Sequence, residues 1–261
     1  MQTGSMANQF DSDTAALKKR LQTNVAGATH NLEDWIIQQV SPRAGMRVLD
    51  LGCGTGKQSF AMARLVGSDG EVLGLDISGE AVSEFNERAH GEGAVHARAI
   101  QGSLDDCLEL LKSLRFDLII SAYAIYYARH MVQLVSGLRS LLHPGGQVFI
   151  CGPGRGTNQE ILQMIERVAR EPSQRPRPID DFLSAQDIRQ IEGRYAGSET
   201  VRLPNQIRFD SVERVLTWWE NHNSFVPGIR DDVARALQAD FTAQRGFMLT
   251  KNVLGVHFYA A

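Results

Sequence analysis

The residues best placed to hold a ligand are Asp50, Gly52, Cys53, Gly54 and Gly56, within Asp50-Leu51-Gly52-Cys53-Gly54-Thr55-Gly56. This run follows the apolar residues Val48 and Leu49 and precedes a helix-like segment, Gln58 to Leu65, so its spacing puts the glycines on a strand-to-helix turn. Glycine there lets a ligand approach the backbone, and the first amides of the next helix are unpaired and point outward. Two nucleotide templates can be tested against the spacing. A phosphate loop of the form G-x-x-x-x-G-K-[ST] finds Gly56-Lys57, but Leu51 stands at its first glycine and Gln58 at its hydroxyl. A dinucleotide fingerprint G-x-G-x-x-G/A reaches Lys57 when counted from Gly52 and Ser59 when counted from Gly54. Both templates fail, leaving an acidic residue followed by G-x-G-x-G.

Other residues could do chemistry. Asp76 ends a second apolar run and is followed by Ile77 and Ser78; it is either a ligand acceptor or part of an Asp-x-Ser helix start. After a fourth apolar run come Tyr126, Tyr127 and His130. The two phenols are candidates to wall a substrate pocket, and His130 is a candidate base because an imidazole titrates near neutrality. Packing and plain surface exposure are the competing roles. Trp218 and His222 lie four residues apart, on one helix face, and are further candidates for the substrate pocket. Cys53 reads as a small residue that fits the turn and not as a nucleophile.

The elements that must position these residues follow from periodicity. Val48 to Leu51, Val72 to Leu75, Ala94 to Ile100, Leu118 to Ser121 and Val148 to Cys151 read as strands, apolar throughout as when helices cover both faces. Helical patterns alternate with them, at Gln58 to Leu65, Glu80 to Ala89 and Met131 to Leu142. Strands alternating with helices imply a mostly parallel sheet with its ligand beyond the carboxyl ends of the strands. Before this core, Ala15 to Val40 reads as two helices, with Leu17, Leu21 and Val25 on one stripe and Leu32, Trp35, Ile36 and Val40 on another. After it, helices are expected at Thr157 to Arg170, Ala185 to Tyr195, Val212 to Asn221 and Ile229 to Gln244, with a proline-rich connector at Glu171 to Pro178. Thr200 to Phe209 and Phe247 to Tyr259 read as two late strands. The expected organisation is a helical segment over 1–45, a core over 46–156, and remaining core elements with a helical cap over 157–261, one domain overall. Gly152 to Gly156 reads as a hinge for closure.

Taken in order, these signals resemble the class I S-adenosylmethionine-dependent methyltransferases. The glycine loop matches the first motif of that family, and Gly74-Leu75-Asp76-Ile77 matches its second-strand acidic position. Phe116-Asp117 resembles the start of its fourth strand, and Leu142-His143-Pro144-Gly145-Gly146 its turn into the fifth, with histidine replacing the usual basic residue. The resemblance covers Val48 to Cys151. It implies a Rossmann-like α/β fold with a seven-stranded sheet, and S-adenosylmethionine as cofactor with S-adenosylhomocysteine as product. It further implies that Asp76 accepts the ribose hydroxyls, that Ile77 contacts adenine, and that Ser103, Leu104 or Asp105 meets the adenine amine. Ser121 and the segment after it would lie near the methyl group. Ser103 departs from the family, which often has aspartate there.

The formal net charge of -3 and the absence of a basic face argue against a nucleic-acid partner. Three scattered cysteines suit a reducing compartment and offer no metal spacing. No run is long and apolar enough for a membrane span, and the start lacks a secretory apolar core, so a cytoplasmic enzyme acting on a small molecule is expected. A non-catalytic cofactor-binding regulator and a methyltransferase acting on protein are the alternatives; a nicotinamide-dependent oxidoreductase is disfavoured by the missing third glycine.

Overall fold

The five apolar runs fold as β1 (Arg47–Leu51), β2 (Glu71–Asp76), β3 (Ala97–Gln101), β4 (Phe116–Ala122) and β5 (Leu142–Pro153). The computed structural model describes residues 27–171, 174, 179–244 and 246–261. The expected helix around Leu17, Leu21 and Val25 lies outside these residues, as does most of the connector before Pro178. Two compact units emerge. The core unit takes in Leu32–Pro153, Asp181–Leu203 and Leu254–Ala261; the second unit takes in the described residues of Met1–Asn31, Gly154–Asp180 and Pro204–Val253.

In the core unit, β9 (Val253–Tyr259) and β6 (Gly197–Leu203) complete a seven-stranded sheet in the order β3-β2-β1-β4-β5-β9-β6. β1 pairs in parallel with β2 and β4, β2 with β3, and β4 with β5. The chain builds one half outward from β1 and then returns to add β4 on its other side. This creates a switch point between β1 and β4, where open α/β sheets bind ligands beyond the strand ends. Val48, Leu49, Leu51, Leu118, Ile119 and Ile150 are fully buried. Removing such a side chain from water contributes roughly 1.5–3 kcal/mol each.

Two helices of this unit, those after Ser78 and Ser184, begin at a serine whose hydroxyl accepts a free amide. α1 (Leu32–Val40) packs against α2 (Lys57–Val66), which follows the glycine loop. α3 (Gly79–Gly91) is capped by Ser78, whose hydroxyl accepts the Ala81 N–H at 3.2 Å. A 3₁₀ turn (Leu104–Asp106) leads into the short α4 (Cys107–Leu110), an element that no periodicity announces. α5 (Met131–Gly137) ends in a 3₁₀ turn over Leu138–Leu141, earlier than the expected helix to Leu142. The Pro144-Gly145-Gly146 turn stands inside β5 rather than before it. Phe116 pairs with Leu142 and Leu118 with Gln147, so three extra residues bulge out of the ladder.

The second unit holds α6 (Gln159–Val168), β7 (Gln206–Phe209), α8 (Val212–Glu220), α9 (Arg230–Gln244) and β8 (Phe247–Thr250); α7 (Ala185–Glu192) belongs to the core unit. Here the expectation of two continuous late strands is corrected. Each expected strand is broken in two, and β7 and β8 form their own antiparallel pair, Phe209 opposite Phe247. The first break falls at Pro204, which has no N–H to give, and at Asn205, whose carboxamide oxygen accepts from the Thr29 hydroxyl, the His30 N–H and the Gln206 N–H. The second falls at Lys251-Asn252, where the Asn252 carbonyl accepts the Gly154 N–H and the Thr157 hydroxyl. Ile161, Met164, Ile165, Trp219, Leu237 and Leu249 fill this unit's own core. No described helix is long and apolar enough to cross a membrane.

Candidate functional site

The acidic residues stand at the carboxyl ends of adjacent strands. Asp50 pairs in register with Gly74 of β2 and Ile120 of β4, and Asp76 pairs with Gln101 of β3. Between β1 and α2 the glycine loop turns sharply. Gly52 and Gly56 have φ of 75° and 89°. A Cβ on Gly52 would lie 2.1 Å from the Ala124 methyl, and one on Gly56 would lie 2.6 Å from the rings of Phe60 and Phe85. The protein therefore closes the space at both ends of the loop. Gly54 between them has nothing within 4 Å of its Cβ position. That is where a ligand could lie against the backbone.

Asp76 organises this open stretch. Its Oδ2 accepts the Gly54 N–H at 2.7 Å and its Oδ1 accepts the Ser78 N–H at 2.9 Å. The carboxylate thus ties the loop to the start of α3, while Ser78 and not Asp76 is the helix cap. Each oxygen keeps a further lone pair for a ligand hydroxyl. Next to it Ile77 is 73% exposed, a large apolar side chain held in water beside a polar cradle. Such a patch fits the face of a planar ring.

Asp50 is 2% exposed, and its Oδ2 accepts the Ser59 hydroxyl at 2.6 Å. Burial raises its carboxyl to about 7; the Ser59 hydrogen bond opposes the shift and the charge of Asp76 adds to it. Cys53 is 5% exposed, and burial pushes its thiol far above the ordinary range, so it is no nucleophile at neutral pH. Its sulfur occupies space that a Cβ on Gly74 would enter, at 2.6 Å.

On the adenine side of the expected site, Ser103 accepts the Asp105 N–H at 3.1 Å and so caps the 3₁₀ turn that Leu104 begins. Asp105 is engaged by Arg129 through its N–H at 2.9 Å and its guanidinium at 2.8 Å, which holds the carboxyl below its usual range. Ser121 is buried, and its hydroxyl donates to the Leu51 carbonyl at 2.8 Å, tying β4 to β1 at the switch point. The next turn carries Tyr123, whose N–H donates to the Cys151 carbonyl at 2.8 Å. Beyond it the Tyr126 ring packs 4.7 Å from Tyr127 and 5.9 Å from Phe182, and Tyr127 is half exposed. His130 is exposed at the start of α5, without a capping bond from its ring. These residues all belong to the core unit.

Trp218 and His222 are placed in the second unit. Trp218 is 1% exposed, edge-on to Phe209, with the His222 ring stacked 4.7 Å away. His222 lies 3.2 Å from the Asn158 amide nitrogen and 2.8 Å from the Ser224 hydroxyl. The Lys251 ammonium lies 3.0 Å from the Asn158 carbonyl oxygen and so orients that side chain. Three residues that support the candidate site were not apparent in the sequence, Ser59, Tyr123 and Ala124, nor was the contact of Gly74 with Cys53. For Ser59 a usable signal existed, because an acid at a buried strand end needs a donor and the next helix must supply it.

Comparison with known proteins bears on this geometry. A family described as methyltransferase domain matches residues 42–193. Among curated relatives, the arsenite methyltransferase of Aquipseudomonas alcaligenes is 33% identical over 110 residues, 40% of this chain and 32% of that protein. The ubiquinone biosynthesis O-methyltransferase of Leptothrix cholodnii is 28% identical over 134 residues, 51% of this chain and 54% of that one. The match thus spans 32% to 54% of the length of these relatives. A Haemonchus contortus phosphoethanolamine N-methyltransferase 2, solved with phosphomonomethylethanolamine and S-adenosylhomocysteine, shares the fold at TM-score 0.59 and 18% identity, over 100% of this chain and 62% of that one. With its sheet order, its glycine loop and a family match over more than half its length, the chain belongs to the class I S-adenosylmethionine-dependent methyltransferases.

Proposed function

We propose that this chain transfers the methyl group of S-adenosylmethionine to a small molecule. The observation that carries the reading is the cradle formed by Gly54, Asp76 and Ile77, one open backbone position, one carboxylate and one exposed apolar side chain in sequence along a ligand's length. Asp76 would accept the ribose hydroxyls through its remaining lone pairs, Ile77 would lie against adenine, and Gly54 would admit the amino-acid end. Ser103 and Leu104 would border the adenine amine. When bound, S-adenosylmethionine supplies a methyl activated by a positive sulfur. That methyl would pass in line to an acceptor lone pair, with the carbon–sulfur pair left on a neutral thioether and any acceptor proton given up to water or a base. The chain's contribution is alignment and exclusion of water, effects that together can supply roughly 7–11 kcal/mol at best.

The acceptor is proposed to be small because the named relatives act on arsenite and in ubiquinone biosynthesis, and because a net charge of -3 offers little to a polyanion. Tyr126 and Tyr127 are the proposed pocket wall, and His130 the candidate base if the acceptor is a hydroxyl or carbon acid. Calorimetric titration with S-adenosylhomocysteine and, separately, NAD tests the cofactor. Binding of the thioether and none of NAD is expected; the reverse would end this reading.

A further inference from the structure

Among the described residues, three without the freedom of glycine have a left-handed backbone: Ser41, Tyr123 and Asn158. Tyr123, with φ of 59°, is the bulkiest of them and directly follows β4 at the switch point. A bulky side chain in that region is strained unless the surroundings hold it there. Here they do. Ser121 ties the strand to β1 through the Leu51 carbonyl, and the Tyr123 N–H ties it to β5 through Cys151. Tyr123 is partly buried, and burial beside Cys151 and Tyr126 raises its phenol well above the ordinary range. The consequence falls on the next residue, because the left-handed turn drives the Ala124 methyl into the space a side chain at Gly52 would need.

We propose that Tyr123 and Ala124 are positioning residues for the methyl donor: the left-handed turn seats Ala124 against Gly52 and holds the glycine loop in the shape that receives the ligand. Neither residue has to touch the reacting atoms. The strain is maintained because the relaxed turn would lift Ala124 off the loop and leave Gly52 free to move. This inference rests on the donor reading of the same face.

Calorimetry with S-adenosylhomocysteine, alongside thermal midpoints to confirm folding, separates the possibilities. Tyr123→Gly and Tyr123→Val both remove the phenol, but only glycine keeps the left-handed turn without penalty. The glycine variant should bind within about threefold of the wild type, and the valine variant more weakly than either, because a β-branched side chain is costlier in the left-handed region than the tyrosine it replaces. Gly52→Ala should weaken binding by more than about tenfold, since the Ala124 clash adds to the cost of a side chain in the left-handed backbone of Gly52. Adding Ala124→Gly should recover the part of that loss due to the clash, a gain of at least about threefold over Gly52→Ala. If the valine variant fails to fold, the Gly52 and Ala124 pair decides alone. Equal binding by the valine and glycine variants, or a double variant as weak as Gly52→Ala, overturns the proposal. A wild-type chain that binds no S-adenosylhomocysteine is a different result, and overturns the donor reading itself.

Discussion

Asp50 carries its proton into the folded state, and this has a measurable sign. An exposed aspartate loses its proton near 3.9, whereas burial holds Asp50 to about 7. Between these values the folded chain binds a proton that the unfolded chain has released. Its contribution therefore weakens stability as pH rises from about 4 to about 7 and is level above that. Asp50→Asn should flatten this part of the profile, seen as thermal midpoints compared at pH 5, 6, 7 and 8; an unchanged decline in the variant would show that another group is responsible. Asp76 tests the site more directly. Asp76→Ala removes the acceptor of the Gly54 N–H and of the proposed ribose contacts, and should weaken S-adenosylhomocysteine binding by about 1–3 kcal/mol, the scale of unpaired hydrogen-bonding groups. An unaltered dissociation constant would reduce Asp76 to an organiser of the loop.

At the scale of elements, Gly56 shows how tightly the loop is set into α2. Its left-handed backbone and the two phenylalanine rings at 2.6 Å leave no place for a methyl. Gly56→Ala should destabilise by roughly 2–5 kcal/mol, combining a backbone penalty with overpacking, read as a lower urea midpoint at unchanged slope. Retained stability would mean that Phe60 and Phe85 yield easily. The elements legible in the sequence were the mostly apolar runs of β1, β2, β4 and β5, the shorter alternating β3, and the glycine loop whose spacing excludes the other nucleotide templates. Less legible was whatever depends on contacts distant in sequence. Thr200 to Phe209 keeps strand-like composition across Pro204, and only Thr29 and His30, brought alongside, show why the strand stops there. Tyr123 carries no mark of its left-handed turn, because nothing in tyrosine favours it; the turn is imposed by ties to Leu51 and Cys151. Of the site, Asp50, Asp76 and the glycines were readable, while their supports Ser59 and Ala124, and the contact of Gly74 with Cys53, were not.

For the molecule as a whole, the ion pairs on its surface, such as Arg202 with Asp181 at 2.7 Å, add little in water, and the buried apolar clusters carry the fold. The cysteines report on the core unit. Cys53, Cys107 and Cys151 are all free and buried in the core unit, with burial pushing Cys107 up to about 12 and the other two higher. A thiol-specific reagent at pH 8 should therefore label none of them in the native protein and all three in denaturant, counted by mass spectrometry; rapid native labelling of any one would place it nearer solvent than the fold allows. Cys53 has a second consequence. Its sulfur, in the loop after β1, fills the volume left by the missing side chain of Gly74 on β2. In descendants of this gene the two sites should drift as a pair, with a larger residue at 74 tolerated only after a smaller one has appeared at 53. The middle letter of the loop, written as free in the motif, is then inherited under constraint.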